Sequence, residues 1–363
     1  MTRAVLRRVG LALVGLVWCV ALSAQPANPQ RIVAVGDLHG DFDAWRAIAL
    51  KARLIDRRDH WSGGSTTLVQ TGDIVDRGPD SRKIIHHLMK LQREAPKAGG
   101  KVVVLVGNHE AMNMTDDLRY VDPGEFAAFA TPRSARLRER AFDDNRATIV
   151  AAFRAISPTM APEAIHQAWL AQTPLGKVEH QAAWSPRGEL GRWTIANRAV
   201  ARIGGTLFVH GGISVRYAGF RIDEINRRIT AALTIANGAD DSILYDPFGP
   251  LWYRGLVTRT ADAADQPAAL PPAAGAAPAA PYPSIDDELT TVLRSFGARR
   301  LVIAHTPDLR GIEISHGGRM VRIDTGISRF YGGKLSYLEI IGERLVPHDF
   351  DRSIAARPAP VRP

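Results

Sequence analysis

The chain has 363 residues, of which 45% are hydrophobic and 23% are charged, and its formal net charge is +9. This length and composition predict a globular protein, because the chain is long enough and apolar enough to bury a sizeable core. An isoelectric point near 10 raises the question of a nucleic-acid partner. Because the sequence has no dense run of Lys and Arg with interleaved aromatic residues, we expect no nucleic-acid partner.

Residues 1–24 have the pattern of a secretory signal peptide. Arg3, Arg7 and Arg8 precede the apolar run VGLALVGLVWCVALS, and the small residue Ala24 follows it as a cleavage point. The apolar run has about 15 residues, fewer than the ~20 that a membrane-spanning helix needs. We therefore expect a periplasmic or secreted mature protein with no stable membrane insertion. If the segment is not cleaved, it would anchor the chain to the membrane.

Short apolar segments predict the strands of the fold. Most are continuous runs of β-branched residues, which is typical of strands buried on both faces of a sheet. The segments are RIVAVGD (31–37), TTLVQTGD (66–73), KVVVLVGNHE (101–110), GTLFVHGG (205–212), RLVIAHTP (300–307) and RMVRIDTG (319–326). The stretches DFDAWRAIALKARLI and PDSRKIIHHLMKLQREAPK lie between the first three and predict helices. Strands alternating with helices predict a layered α/β fold with right-handed crossovers.

We place the main domain at residues 31–345. Two segments inside it and one after it have a different composition from the strands and helices above. Residues 123 to about 175 are rich in Ala, Arg and Glu at helical spacing, and they predict a helical insertion, in the position of a cap over the ligand end of the sheet. Residues 260–283 are Ala/Pro-rich with almost no charge and predict a flexible loop. We expect residues 346–363 to form a disordered tail.

Polar side chains follow five of the predicted strands at their carboxyl ends, where open α/β sheets bind ligands. The proposed metal ligands among them are Asp37, His39, Asp73, Asn108, His210 and His305, and Asp76, Arg77 and His109 stand beside these ligands. Oxygen and nitrogen ligands without a thiolate suit Mn, Fe or Zn. Asp41 lies four residues after the first segment, and we expect it to cap the following helix.

This set of residues can be divided between two metal ions. Asp37 and His39 can hold one ion, and a second set made of Asn108, His210 and His305 can hold the other, with Asp73 bridging. Two ions can activate a shared water and hold a phosphoryl oxygen.

The residues beside the ligands suit the rest of a phosphoryl transfer. His109 is then a general acid for the leaving oxygen, Asp76 orients its imidazole, and Arg77 offers a planar fork to phosphate oxygens. Any one motif alone is more simply explained as a turn or a structural histidine. The ordered set at successive strand ends favours a dinuclear metallophosphoesterase.

The motifs GDLHGD, GDIVDRG, GNHE and HGG resemble those of the phosphoprotein phosphatase family of calcineurin-like metallophosphoesterases. More narrowly, GNHEAMNMTDDLRYV, DRGPDS and GPLWYRG resemble the Shewanella-like protein phosphatase branch. The resemblance implies a β-sandwich core flanked by helices. It also implies two divalent ions at the same six ligands, with manganese favoured and iron or zinc as alternatives.

The same resemblance implies that Arg254, in WYRG, is a second phosphate-binding arginine. The alternative for Arg254 is a surface arginine packed beside Trp252. Arg119 and Tyr120 either contact substrate at the rim of the site, or Arg119 forms a buried ion pair with Asp116 or Asp117. The chain lacks a clear SAPNY motif, so Tyr331 in RFYGG is only a candidate for a catalytic tyrosine.

These observations leave three functions open. The first is a phosphomonoesterase that acts on phosphorylated protein side chains, either Ser/Thr or Tyr. The second is a small-molecule phosphatase or a nucleotide pyrophosphohydrolase, because symmetrical diadenosine tetraphosphatases share the opening motifs. The third is an inactive phosphate-binding protein, against which the intact set of ligands argues.

Overall fold

The computed structural model describes residues 30–259 and 282–352. The predicted signal peptide and nearly all of the predicted Ala/Pro-rich loop lie outside the described residues. The first half of the fold alternates strands and helices, as the sequence predicts. Its elements are β1 (Arg31–Val35), α1 (Phe42–Lys51), β2 (Thr67–Gln70), α2 (Ser81–Glu94) and β3 (Lys101–Val104).

The first sheet has five strands in the order β10-β9-β1-β2-β3. Strands β1, β2 and β3 are parallel, whereas β9 (Leu335–Ile341) and β10 (Arg344–Phe350) extend the sheet antiparallel beyond β1. The prediction of a disordered tail from residue 346 is therefore wrong at its start, because residues 346–350 pair with β9. Strand β10 is a half-exposed edge strand containing Pro347, so its composition carries no strand signal.

The part of the chain that connects β3 of the first sheet to β4 of the second sheet is helical. Residues 123–172, within the predicted insertion, form four helices, and helical structure continues to residue 196. The helices are α3 (Asn108–Met114), α4 (Pro123–Phe129), α5 (Ser134–Asp144), α6 (Arg146–Ile156), α7 (Pro162–Gln172), α8 (Lys177–Trp184) and α9 (Glu189–Ala196). Helix α4 lies beside the start of α2, where the Ser81 hydroxyl donates to the Glu125 carboxylate over 2.6 Å.

The second sheet has five strands in the order β4-β5-β6-β8-β7. The sequence predicts β5, β6 and β8 but not the short edge strands β4 and β7. The elements of this part are β4 (Val200–Ile203), β5 (Thr206–Val209), α10 (Ile222–Thr234), α11 (Gly255–Thr258), α12 (Ile285–Ser295), β6 (Arg300–Ile303), β7 (Glu313–Ser315) and β8 (Met320–Arg322).

The two sheets pack face to face, and the helices cover their outer faces. In β1, Ile32 and Ala34 belong to an apolar cluster shared with Phe208 and Val302 of the second sheet. Their neighbours Val33 and Val35 point the other way, into the cluster that contains the helices. This burial on both faces explains the continuous apolar runs. The fold is thus the predicted α/β sandwich flanked by helices, and none of its described helices is long and apolar enough to cross a membrane.

Candidate metal centre and active site

The loops that follow β1, β2, β3, β5 and β6 converge at one end of the sandwich. They bring together all six residues predicted as metal ligands, and each is at most 5% exposed. The loops after β1 and β2 are joined by backbone hydrogen bonds, because the amides of Leu38 and His39 both donate to the Asp73 carbonyl over 2.9 and 3.0 Å. The site is therefore a buried polar cluster built on strand ends.

Several site residues have a left-handed backbone, which non-glycine residues adopt rarely and at a cost of about 1 kcal/mol or more each. The φ angles are 42° at His39, 52° at Asp73, 69° at Asp76, 65° at Arg77 and 68° at His305. The strand ends turn sharply at these positions and aim successive side chains into the cluster. Such local strain is typical of functional sites.

Glu110, the last residue of GNHE, supports the cluster from below, a role that the motif alone does not reveal. Its carboxylate accepts hydrogen bonds from the backbone amides of Asp73, Ile74 and Gly107 over 2.7 to 2.9 Å. Burial and the charge of Asp73 raise the pKa of Glu110 to about 7, against the three donors. A Cβ atom at Gly107 would lie 2.2 Å from Asp73 Oδ1, so only glycine fits there.

Asp73 lies at the centre of the cluster. Its Oδ2 atom is 3.2 Å from His210 Nε2, 3.8 Å from His109 Nε2 and 3.9 Å from His39 Nε2. The Nδ1 atoms of His39 and His210 lie 2.9 and 3.0 Å from the carbonyls of Val75 and Thr71. A carbonyl only accepts, so each Nδ1 carries the proton and each Nε2 lone pair points at Asp73, as in protein metal sites.

The donor set fits divalent metal ions. His210 Nε2 is 2.9 Å from Asn108 Oδ1, 3.1 Å from His305 Nδ1 and 3.2 Å from Asp73 Oδ2. Because His210 Nε2 and both oxygens are acceptors, lone pairs face one another here, and a cation between them would relieve the repulsion. Asp37 Oδ1 is also buried without a hydrogen-bond partner among the described residues. Nitrogen and oxygen donors without sulfur suit Mn, Fe or Zn.

The protonation states of the cluster agree with this fit. Burial lowers the pKa of His39 to about 4 and holds that of His305 well below its ordinary value, so both imidazoles are neutral and free to ligate. Burial also acts to raise the pKa of Asp73, but charged neighbours, among them His109, hold it well below its ordinary value. Burial and the carboxylates of Asp324 and Asp73 raise the pKa of Asp37.

His109 belongs to a hydrogen-bonded chain at the edge of the cluster. Its Nδ1 atom lies 2.5 Å from Asp76 Oδ2, and the Asn113 amide donates to the other oxygen of Asp76 over 2.9 Å. Burial lowers the pKa of His109, but the carboxylates of Asp73 and Asp76 raise it above its ordinary value. The structure thus places Asp76 behind His109 and leaves Nε2 of His109 facing the cluster.

Arg77 is held between two aromatic rings at the mouth of the site. Its guanidinium carbon lies 3.9 Å from the centre of the Tyr120 ring and 4.7 Å from that of Phe330. The loop that carries Phe330 is fixed by Asp41, which accepts from the Arg329 amide over 2.9 Å and also caps α1 as predicted. Sequence reasoning missed Phe330, because it lies over 200 residues from Arg77 in the chain.

The structure places two further residues, Arg119 and Tyr331, whose roles the sequence left open. Arg119 forms an ion pair with Asp117 over 2.6 Å, as the second alternative predicts, but the pair is exposed and not buried. The ring of Tyr331 lies 5.4 Å from that of His39, and burial raises the pKa of its hydroxyl. Tyr331 therefore borders the cluster as a protonated phenol.

Arg254 approaches the cluster from the second sheet. The segment that carries it lies against the HGG glycines, since the Gly211 amide donates to the Pro250 carbonyl over 2.8 Å. A Cβ at Gly211 would come within 2.9 Å of the Tyr253 nitrogen, so the glycine permits this approach. Partial burial lowers the pKa of Arg254, while the charges of Asp73 and Asp37 raise it. The Arg254 side chain itself is exposed, and its segment lies against the loop that carries His210.

The buried carboxylate of Glu288, on α12, anchors the Arg254 segment. It accepts from the Tyr253 hydroxyl over 2.7 Å, from the Tyr282 hydroxyl over 2.8 Å and from the Val215 amide over 2.7 Å, and it pairs with Arg259. Charge-assisted hydrogen bonds of this kind are the strong ones. No sequence signal marks Glu288, because its partners come from three separate segments.

Comparison with known proteins identifies the family of the chain. The calcineurin-like phosphoesterase family model matches residues 30–309. The chain is 31% identical to Shewanella-like protein phosphatase 2 of Arabidopsis thaliana over 311 residues, covering 83% of this chain and 72% of that protein. It is 27% identical to Shewanella-like protein phosphatase 1 of Plasmodium berghei over 323 residues, covering 85% and 71%.

A solved structure has the same fold. The cold-active protein-tyrosine phosphatase of a Shewanella species superposes with a TM-score of 0.60 at 23% identity, covering 88% of this chain and 77% of that one. The fold, the converging strand ends and the sequence relatives agree with the resemblance inferred from the motifs. The chain therefore belongs to the calcineurin-like phosphoesterases, which are hydrolases of phosphoric esters, and within them to the Shewanella-like protein phosphatases.

Proposed function

We propose that the protein is a metal-dependent phosphomonoesterase that removes phosphate from protein side chains. The observation that carries this proposal is the convergence of six buried nitrogen and oxygen donors around Asp73, beside His109 and two arginines. The sequence relatives that are named protein phosphatases support a phosphoprotein substrate.

Two divalent ions fit the cluster, with manganese proposed first and iron or zinc as alternatives. Asp37 and His39 would hold one ion. Asn108, His210 and His305 would hold the other, with Asp73 shared between them. When bound, the ions polarise the phosphoryl group and lower the pKa of water.

The two arginines would bind the phosphate, and His109 would protonate the leaving group. Arg77, whose guanidinium packs against Tyr120 and Phe330, presents its fork to phosphate oxygens, and Arg254 adds a second positive charge from the other sheet. His109 donates the proton on Nε2 to the oxygen of the leaving side chain as its bond to phosphorus breaks. Asp76 accepts from Nδ1, which orients the ring and stabilises its protonated form.

A panel of substrates tests this function. The purified chain, loaded with manganese, is assayed with peptides carrying phosphotyrosine, phosphoserine or phosphothreonine, with p-nitrophenyl phosphate and with diadenosine tetraphosphate. We expect the highest kcat/KM with one of the phosphopeptides. A higher kcat/KM with the dinucleotide would favour the pyrophosphohydrolase alternative. Absence of hydrolysis with every substrate, with metal bound, would favour a phosphate-binding protein.

We also propose that the mature protein is periplasmic or secreted, on the basis of the predicted signal peptide at residues 1–24. The test is N-terminal sequencing of the protein produced with its own leader. We expect the mature chain to begin after Ala24. An intact leader would instead indicate a membrane anchor.

A further inference from the structure

A cleft runs along the open edge of the sandwich, where the two sheets meet. Strands β3 and β4 are the edge strands of their sheets on this side. They are joined only near their ends, where Leu105 pairs with Arg198 and the Val106 amide donates to the Arg198 carbonyl over 2.9 Å. The cleft between them has a volume of about 240 Å³ and is lined by residues 101–104 and 201–203.

Two wider depressions continue the cleft toward α10. Their volumes are about 610 and 650 Å³, and both share Arg198 with the cleft. The first is lined by the turn over residues 218–223, and the second by the α10 residues Asn226, Arg227 and Thr230. We call the three together the edge groove.

The edge groove is strongly basic. Among the residues that the structure describes, its charged lining residues are Lys101, Arg198, Arg202, Arg221, Arg227 and the single acid Asp223, and all six are exposed. Within residues 30–259 and 282–352, none of these four arginines forms an ion pair, whereas the neighbouring Arg228 pairs with Glu224 over 2.7 Å. Unpaired cations in one groove create a local potential that attracts and orients an anionic partner.

We propose that the edge groove binds an extended acidic peptide segment. The walls of the cleft are edge strands, whose outer backbone groups can pair with an added extended chain, except at Val200, where the Asn226 side chain already binds the amide and the carbonyl. Single-stranded nucleic acid would need exposed aromatic rings for stacking. The aromatic residues of the groove do not offer this, because Phe296 is buried and Phe220 is partly buried with Arg228 over its ring.

The position of the groove suits a role in holding a protein substrate near the active site. Val106, at the joined end of the cleft, comes two residues before the proposed ligand Asn108, so the groove leads toward the catalytic end of the sandwich. An acidic segment held there would tether a phosphorylated side chain of the same protein near the metal cluster and raise its effective concentration. This role rests on the proposed protein phosphatase function, whereas the binding itself does not.

Charge reversal of the groove tests the proposal. The double variant Arg198→Glu with Arg202→Glu is compared with the double variant Arg136→Glu with Arg140→Glu, which makes the same change at exposed positions of α5. Fluorescence anisotropy measures binding of an unphosphorylated, fluorescein-labelled peptide of alternating Glu and Val. We expect a tenfold or greater loss of affinity in the groove variant, little change in the α5 variant, and weaker binding as salt rises.

Kinetics separate this proposal from the proposed function. For a phosphopeptide with an acidic extension, we expect the groove variant to raise KM several-fold while kcat/KM for p-nitrophenyl phosphate stays unchanged. Equal peptide affinity in the groove variant and the parent, or equal losses in both double variants, would overturn the proposal. So would tighter binding of a single-stranded oligonucleotide than of the peptide at the same site. If no phosphoester is hydrolysed by the parent, the proposed function fails while the anisotropy result still decides the groove.

Discussion

At the scale of single residues, His109 and Arg77 are placed by partners that come from elsewhere in the chain. Asp76 and Asn113 fix the His109 ring from behind. The rings of Tyr120 and Phe330 pack against the guanidinium of Arg77. Both side chains are therefore ordered before any substrate arrives, which lowers the entropic cost of reaching the reactive geometry.

Replacement of His109 by asparagine removes the proposed proton donor. We expect kcat for a phosphoserine peptide to fall by about 10²- to 10⁴-fold, because an alkoxide leaves poorly without a proton. The loss with p-nitrophenyl phosphate should be smaller, since its phenolate is a better leaving group. Parallel assays of both substrates and of bound metal check this prediction. Equal losses with both substrates, or a loss of metal, would instead assign His109 a ligand or structural role.

Arg77→Lys tests the planar fork. Lysine keeps the charge but cannot lie flat between Tyr120 and Phe330 or bind two oxygens at once. We expect kcat/KM to fall about 10- to 100-fold, because a hydrogen bond to a charged group contributes ~1.5–3 kcal/mol. Arg82→Lys is the matched control, since Arg82 lies 4.7 Å from the centre of the Phe129 ring outside the cluster. Similar losses in both variants would contradict a specific role for Arg77.

At the scale of elements, the site is assembled by loops that are pinned to the sandwich. Glu110 ties the loops after β2 and β3 together, and Asp41 ties the loop after β1 to the segment before β9. Glu288 of α12 ties the Arg254 segment to the chain that follows β5. Glu110, Asp41 and Glu288 are each a buried carboxylate that accepts hydrogen bonds from several donors. Replacing any of them therefore affects more than one loop.

Glu288→Gln tests the pin behind Arg254. The amide places a donor against the hydroxyl and guanidinium donors around it, so we expect Arg254 to lose its fixed position. The predicted loss in kcat/KM is about fivefold, from a coupling of ~1 kcal/mol, and it should vanish in an Arg254→Ala background. Glu339→Gln, which disrupts an ion pair with Arg31 on the first sheet, is the control. Equal losses with and without Arg254 would show that Glu288 acts elsewhere.

At the scale of the whole molecule, the buried cluster links stability to metal and pH. In the metal-free protein, burial raises the pKa of Asp37 well above its ordinary value and that of Glu110 to about 7. Burial lowers the pKa of His109, but Asp73 and Asp76 raise it overall. Stability from a group with a raised pKa is present at low pH and is lost as the pH rises toward the folded pKa. His39 has a lowered pKa and is neutral in both folded and unfolded chains above about pH 6.5.

We therefore expect the Tm of the chelator-treated protein to fall by a few degrees between about pH 6.5 and about pH 8. The manganese-loaded protein should have a higher Tm throughout and should not show this fall, because metal ions bind the deprotonated ligands. Differential scanning calorimetry at several pH values measures both. A Tm of the metal-free protein that is constant or rises over this range would contradict the prediction.

Much of this architecture follows from local pattern. The strands that support the cluster are apolar β-branched runs, so they could be found from sequence, and so could helices α1 and α2. The edge strands β4, β7 and β10 could not, because they are short or half-exposed and depend on their neighbours for pairing. The six predicted ligands could be named because each directly follows a strand or its turn. Their roles at the metal ions stay predictions.

The sequence by itself determined the family and the residues that meet at the site, because metal ligands need particular side chains at fixed distances after a strand. Only the tertiary structure decided what holds those residues in place. Phe330 beside Arg77, Glu288 behind Arg254 and the open edge between β3 and β4 join segments that are far apart in the chain. Such contacts depend on how the two sheets pack, and no local pattern of residues records that packing. Residues 32–41, IVAVGDLHGD, illustrate this difference. The proposed ligands Asp37 and His39 could be named from the sequence, whereas the hydrogen bond from the Arg329 amide to Asp41, which fixes the Phe330 loop, is seen only in the fold.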